Sequence, residues 1–519
     1  MRRVKFILFL SAVLVLAAFF QFYFSNIPET DSLYHFRHAE IYKNAGLLAS
    51  AFPWVQYSVI NVFSADIWYG FHLFLTPFTY FSDPVFGLRV AGMFMTAFLL
   101  LAFFWSLRRL KVTQNFFWPF LLFFSSPLVS YHLIMARPHV ISLGSSVLLY
   151  SFLAVENLWG IFFVSLGISF FHLSLFWSAL LITGTFFSVK FFTEKVLAWQ
   201  TILASLAGLL TGWVLRPDFW GAAKIAYVQI VQLMLEKRAG TPLHFGMELY
   251  PLPWRDLGFF ALFLALWLAA ILVFVRALIR RNVGNPFQAT VLWSSFILSA
   301  VFWLMTMFVA ERSFDFFAAF GVVFMASAFT YLVRNKIKKF VAIFGAAVFV
   351  VMAVYGVYQT GKFLNTIGVD AQRFKSAMEW LKNNSEPGDV VFNVSWDYFP
   401  ELFFWNTKNF YVSGMDPIFQ YAYNPKMYWE AYYLETGKTA EFTCAATACA
   451  PEALEETHTA LKRDFKAKYL FLDKYFDGRF YAYLATDRRF LLKYEDMRLP
   501  AGQAGLPADG HGAAIFEVL

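Results

Sequence analysis

Eleven apolar runs of about 15–23 residues, each near the length that carries a helix across a hydrocarbon core, punctuate this 519-residue chain. They lie at 6–24, 87–107, 116–135, 140–155, 158–171, 173–189, 196–215, 257–275, 288–310, 314–333 and 340–359. Lipid offers no hydrogen bonds to a bare backbone, so such runs are restricted to helices. Only 15% of the residues are charged, against roughly 25% in a soluble protein, and 67 are phenylalanine. No water-soluble core of this size hides that much apolar surface. The expected fold class is therefore a polytopic α-helical membrane protein of about eleven transmembrane helices with a C-terminal soluble α/β domain on the non-cytoplasmic side. Disordered, collagen-like and coiled-coil chains are excluded.

The formal net charge of +8 divides unevenly: up to Asp370 there are 26 Lys and Arg against 14 acidic residues, and beyond it 16 against 20. The basic excess belongs to the apolar part, which points to membrane topology and to no nucleic-acid partner. Three basic residues precede the first run, and no small-residue cleavage site follows it, so the run reads as a retained signal-anchor with a cytoplasmic N-terminus. Alternation then puts the clusters Arg108, Arg109 and Lys111, Arg276, Arg280 and Arg281, and Arg334, Lys336, Lys338 and Lys339 in the cytoplasm. An odd number of spans in a plasma (inner) membrane leaves everything after about Gly361 outside. The stretch 158–189 reads as a tight helical pair turning near His172. The stretch 66–81 would invert every later loop if it crossed, and is taken as an interfacial helix or part of a folded outer loop.

The chain accordingly divides into a transmembrane domain, 1–361, with a first outer loop at 25–86, and an extracytoplasmic α/β domain, 362–519. In the latter, WLKNNSEPGDVVF predicts a helix, a Pro-Gly turn and a buried strand, and AKYLFLDKY predicts another strand. Cys444 and Cys449, the only cysteines, fall there and form either a disulfide or two free thiols. No glycine-rich phosphate loop occurs, which argues against a nucleotide-driven pump.

Polar residues of unusual type gather in the expected outer segments. The first reads PETDSLYHFRHAEIYKNAG. Glu29 and Asp31 are spaced i, i+2, so an extended backbone would point both carboxylates one way, and Tyr34, His35, Arg37 and His38 follow on a helix expected from near Ser32. Such a pair suits a divalent cation beside a phosphate, or proton abstraction from an acceptor. The plainer alternative is a helix cap at Asp31 with a solvated His35. Arg137 and His139, His172, Arg216 and Asp218, and Glu311, Arg312 and Asp315 occupy further outer helix ends. Singly, each reads as an interfacial anchor; jointly, converging Arg and His side chains suit a lipid-linked phosphate or pyrophosphate. The segment 217–256 is amphipathic and is expected in the interface, as a lid or as an ordinary interfacial helix.

These residues carry a resemblance. The Glu-x-Asp pair, the odd count of spans and the outer C-terminal domain resemble the GT-C superfamily of integral membrane glycosyltransferases. DSLYHFRHAEIYKNAG is similar to the first loop of oligosaccharyltransferase catalytic subunits, and SAMEWLKNNSEPGDVVFNVSWDYFPELFF resembles the start of their soluble domain, with Trp396, Asp397 and Tyr398 at its signature. Arg137-Pro138-His139 and His172 resemble outer-loop residues of lipid-phosphate-sugar-dependent transferases. Ser395 and Phe399 depart from the signature, and Arg137-Pro138-His139 supplies a basic cradle where that family has a second acidic motif.

The resemblance implies transfer of a sugar from a polyprenyl-phosphate or polyprenyl-pyrophosphate carrier to an acceptor glycan, lipid or protein at the outer face, with membrane lipids as surroundings. Asp31 would be the catalytic carboxylate assisted by Glu29. Arg137, His139, Arg312 and His172 would hold the donor phosphate, while Tyr34, His35 and Arg37 would serve the acceptor side. A divalent cation, Mg or Mn, would sit on Asp31 and Glu29 if one is used. The alternative class is a transporter or lipid flippase with the same charges along its pathway, but the centres of most runs are poor in polar residues, which favours surface chemistry.

Overall fold

The structure is a computed structural model that describes all residues except 1, 244, 334–338, 436–456 and 497–511. Cys444, Cys449, Arg334, Lys336 and Lys338 lie outside the described residues. The chain forms two compact units. The first comprises Met1–Glu29, Trp68–Arg216 and Gly246–Gly368, and the second Thr30–Ile67, Pro217–Phe245 and Val369–Leu519.

The first unit is helical, and among the described residues seven of its helices are long and apolar enough to cross a membrane: Arg3–Phe22, Pro84–Arg109, Leu173–Glu194, Trp254–Ile279, Pro286–Phe308, Glu311–Leu332 and Gly345–Thr366. This is a multi-pass membrane protein. Local chemistry sets the ends of these helices. Asp83 caps Pro84–Arg109 by accepting from the Val85 amide at 2.9 Å, a proline opens the helix, and Arg108 and Arg109 close it against its dipole. Asn285 and Gln288 form a capping box at Pro286–Phe308. Leu158–Phe171 and Trp199–Val214 are shorter apolar helices. Small residues let these two backbones touch, since a Cβ on Gly208 would stand 2.2 Å from the Phe162 carbonyl oxygen.

The run at 116–135 departs from expectation. It is two short helices, Trp118–Phe123 and Pro127–Leu133, separated by Phe124, Ser125 and Ser126, because Ser126 caps the second and Pro127 opens it. The turn near His172 is where it was expected, between Leu158–Phe171 and Leu173–Leu175. The stretch 66–81 holds only the short helix Tyr69–Leu75 and the 3-10 turn Thr76–Tyr80. The boundary expected at 361/362 falls inside a helix, Lys339–Thr366, and the second unit resumes at Val369.

Polar contacts collect at two ends of the first unit. At one, Lys190 pairs with Glu156 and Glu194 at 2.7 Å, Thr193 meets Thr290 at 2.6 Å, and Thr113 meets Thr330 at 3.2 Å. At the other lie Arg137, His139, His172, Glu248 and Arg312.

The second unit contains a five-stranded sheet in the order β2-β1-β3-β5-β4, with β1 Val390–Asn393, β2 Phe410–Tyr411, β3 Ala467–Asp473, β4 Phe490–Glu495 and β5 Ala513–Val518. β1 runs parallel to β2 and β3, while β5 is antiparallel to β3 and β4. The expected helix and turn precede β1 as Lys375–Asn384 and Gly388, whose φ of +83° is the left-handed conformation that glycine tolerates. The first loop is built into this sheet. Val55 bridges Tyr411 in parallel, with Gln56 donating to the Tyr411 carbonyl at 2.9 Å and Tyr411 donating to the Trp54 carbonyl at 2.8 Å. This pairing is why 30–67 belongs to the second unit. In its core Tyr34 and Phe52 pack on Phe399 and Phe403, each fully buried ring contributing about 1.5–3 kcal/mol.

Candidate functional site

The site begins with a proline. Pro138 disfavours helical backbone at the residue before it, and Arg137 is extended, at φ −119° and ψ 153°. The helix therefore breaks, and Pro127–Leu133 and Pro138–Ala154 meet at 104°. The break sets His132, at the end of one helix, beside His139, at the start of the next, with ring centroids 5.9 Å apart.

Asp315, in the first turn of Phe314–Ala328, completes this group. His132 Nδ1 lies 3.1 Å and His139 Nε2 4.0 Å from Asp315 Oδ2. The His132 ring rests on Phe314 at 4.6 Å, which orients it. Asp315 is 3% exposed, and among the described residues neither its Oδ1 nor His139 Nε2 has a hydrogen-bond partner.

Beside this group two arginines share one carboxylate. Arg137 donates to Glu248 Oε2 at 3.2 Å, and Arg312 donates to Glu248 Oε1. Glu248 sits in the short turn Met247–Leu249, which backbone bonds fix in place: Leu252 donates to the Thr306 carbonyl at 3.0 Å and Glu311 to the Tyr250 carbonyl at 2.7 Å. Burial alone would push the Glu248 carboxyl up, but Arg137 and Arg312 outweigh it and hold the group well below the usual carboxylate range. It is ionised at any physiological pH. His172 Nδ1 lies 3.4 Å from the Ser142 hydroxyl, and Arg312, Arg137 and Arg216 are within electrostatic reach of the ring.

Of the residues expected from sequence, Arg137, His139, Arg312 and His172 thus come together in the first unit. Glu29 lies there too, within electrostatic reach of Tyr131, whose hydroxyl donates to the Pro28 carbonyl. Arg216 is structural, buried and donating to the Ser169 carbonyl at the end of Leu158–Phe171. Asp218 caps the helix Phe219–Tyr227 by accepting from the Gly221 amide at 2.9 Å. The expected lid is helical over 219–239, and Glu248 follows it in irregular chain.

Asp31, Tyr34, His35 and Arg37 belong to the second unit. Asp31 is the first residue of the helix Asp31–Ala45, and the cap position is Thr30, with helical dihedrals of −80° and −34°. Two expectations fail here. An extended Glu29-x-Asp31 does not occur, because Thr30 is already helical and residues i and i+2 do not face each other on a helix. Asp31 is not the cap, and His35 is not solvated, being 3% exposed. Tyr34 is buried with its hydroxyl 3.0 Å from His38 Nδ1, while Arg37 pairs with Glu40 and donates to the Phe404 carbonyl.

Trp396, Asp397 and Tyr398 form a 3-10 turn. Tyr398 donates to Asp477 at 3.2 Å, and Arg373 lies 5.6 Å from its ring centroid. Arg373 also meets Asp473 at 2.9 Å and Glu401 at 3.5 Å. Sequence reasoning missed His132 and Glu248 as site residues. The Arg137-Pro138 step was the one available signal for His132, since a break there makes its helix end next to His139.

No protein-family model matches the chain, and no curated protein matches it. Its fold does match solved structures. The archaeal oligosaccharyltransferase AglB from Archaeoglobus fulgidus, in complex with an inhibitory peptide and a dolichol-phosphate, superposes with a TM-score of 0.55 at 14% identity, covering 92% of this chain and 71% of that one. The arabinofuranosyltransferase AftD from Mycobacteria matches with a TM-score of 0.55 at 13% identity, over 100% of this chain and 40% of that one. ArnT from Cupriavidus metallidurans, bound to undecaprenyl phosphate, matches with a TM-score of 0.52 at 10% identity, over 100% and 99%. The chain has the fold of the GT-C membrane glycosyltransferases.

Proposed function

We propose that this protein transfers a sugar from a polyprenyl-phosphate or polyprenyl-pyrophosphate carrier to an acceptor at the outer face of the plasma membrane. The observation that carries the reading is the convergence of Arg137 and Arg312 on one anionic group, Glu248. Two guanidinium groups held on a carboxylate are already disposed for an anion, and the planar fork suits a phosphate. Two fold neighbours of this chain were solved with dolichol-phosphate and undecaprenyl phosphate, which supports a carrier of that class.

In this reaction the acceptor atom attacks the anomeric carbon, the bond from that carbon to the phosphate oxygen breaks, and the oxygen leaves with the electron pair. Configuration inverts. Arg137, Arg312 and His172 stabilise the negative charge on the departing phosphate. Asp31 takes the acceptor proton or orients the acceptor. Detergent-purified protein given a lipid-phosphate sugar and a range of acceptors should release free lipid phosphate. If no donor is consumed while reconstituted vesicles move lipid or solute in an Arg137-dependent way, the protein is a transporter or flippase.

A further inference from the structure

The resemblance assigns any metal to the first-loop carboxylates, but the helical Thr30 departs from the extended backbone on which that pairing was argued. A different donor set does fit. We propose that His132, His139 and Asp315 bind one divalent transition-metal cation of the zinc, cobalt or manganese class.

Three observations support it. The first is distance. One ligand atom from each of the three residues lies within 4.8 Å of the other two. Around a cation with nitrogen and oxygen ligands at about 2.0–2.2 Å, donor atoms in tetrahedral array stand roughly 3.3–3.6 Å apart. The present 3.1 Å and 4.0 Å separations bracket that spacing.

The second is unmet bonding. Asp315 Oδ1 and His139 Nε2 are buried without a hydrogen-bond partner among the described residues. An unpartnered buried carboxylate oxygen costs about 1–3 kcal/mol or more, and a cation held by both oxygens of Asp315 would satisfy it together with the imidazole lone pair. A His132–Asp315 hydrogen bond accounts for Oδ2 and leaves both orphans unexplained.

The third is charge. Arg137 is within electrostatic reach of His139, and Glu248 engages it at 3.2 Å, so its field at the site is offset. Two imidazoles and one carboxylate select against magnesium, which prefers all-oxygen shells, and three protein ligands leave a coordination position open. The site is independent of the transferase reading, because it is defined by ligands and not by a reaction.

The test uses full-length protein in detergent, purified through a tag without histidine, stripped with chelator and titrated with Co²⁺. One Co²⁺ per chain should bind with a visible d–d absorption typical of nitrogen and oxygen ligands, zinc should displace it, and excess magnesium should not. His139→Gln and Asp315→Asn should each weaken binding at least 10-fold, with His132→Gln as a further variant should either fail to fold. Glu29→Gln and Asp31→Asn should leave the stoichiometry and spectrum unchanged. Binding that survives His139→Gln and Asp315→Asn, binding lost in the first-loop variants, or no Co²⁺ bound at all would overturn the proposal. None of these readouts requires a sugar donor, so failure of the metal site and failure of the transferase reading are separable.

Discussion

Arg137 donates to Glu248 at 3.2 Å across 111 positions of sequence. The bond joins a helix break to a loop turn, and Arg312 reaches the same carboxylate from a third segment. A carboxylate gripped from two sides holds both guanidinium groups in place before any ligand arrives, so little reorganisation is left when a phosphate binds.

Arg137→Ala and Arg312→Ala should therefore each reduce turnover of a lipid-phosphate sugar by about 10²–10³-fold, the range found when one preorganised donor is removed. Lysine at either position should recover little, because an ammonium group cannot reproduce the fork. Steady-state release of lipid phosphate measures this, and full activity in both alanine variants would remove the anion-binding role.

Asp31 stands in the first turn of its helix, where its charge favours the dipole by about 0.3–1 kcal/mol. Asp31→Asn should cost no more stability than that and insert normally, while transfer falls about 10²-fold or more if the carboxylate is the base. Glu29→Gln should be milder. A variant that melts slightly earlier yet turns over normally would leave Asp31 with the dipole role alone.

Much of this was legible because lipid imposes lengths. The run read at 158–171 coincides with the helix Leu158–Phe171, and that at 288–310 with Pro286–Phe308. The helix break at Pro138 was open to the same reading, since proline restricts the residue before it. What stayed hidden was non-local. His132 is followed by Leu133, Ile134 and Met135 and disappears into an apolar run. Glu248 looks like any loop carboxylate until the fold brings Arg137 and Arg312 to it. Nothing in the sequence around Val55 announces a partner at Tyr411, more than 350 positions away. Such pairings arise from tertiary packing, which local propensity does not encode.

Glu401 gives a pH prediction for the second unit. It is 1% exposed with Oε1 unpartnered among the described residues, and burial, outweighing the attraction of Arg373, pushes its carboxyl up to about 8. Glu435 is likewise pushed up to about 8 by burial. A carboxyl whose folded value exceeds its unfolded value near 4.3 contributes stability that is complete below that unfolded value. The contribution fades as pH rises through 8, because the unfolded chain has already released the proton that the folded chain retains. Melting temperature should fall from pH 5 to 9, and Glu401→Gln should flatten the fall. An unchanged slope in that variant would mean Glu401 is ionised in the fold.

The orientation of the chain rests on its basic clusters, and contacts within the first unit sharpen the test. Lys111 lies over Phe287 at 5.5 Å, Lys190 pairs with Glu156 at 2.7 Å, and Thr193 meets Thr290 at 2.6 Å. The segments around 111, 156, 190 and 287 therefore share one end of the unit and must share one compartment. Arg108, Arg109, Lys111, Arg276, Arg280 and Arg281 belong to that end, and their excess predicts that it faces the cytoplasm. Reporters fused after Lys111, Glu194 and Arg281 should all read cytoplasm. The chain leaves the first unit near Gly368, where Asn26 donates to the Leu364 and Gly368 carbonyls. That places the exit beside the far end of the helix Arg3–Phe22, so a reporter after Asp370 should read the outside. If it reads cytoplasm while the three others read outside, the whole molecule is inverted, and the cluster at Glu248 faces lipid carriers of the opposite leaflet.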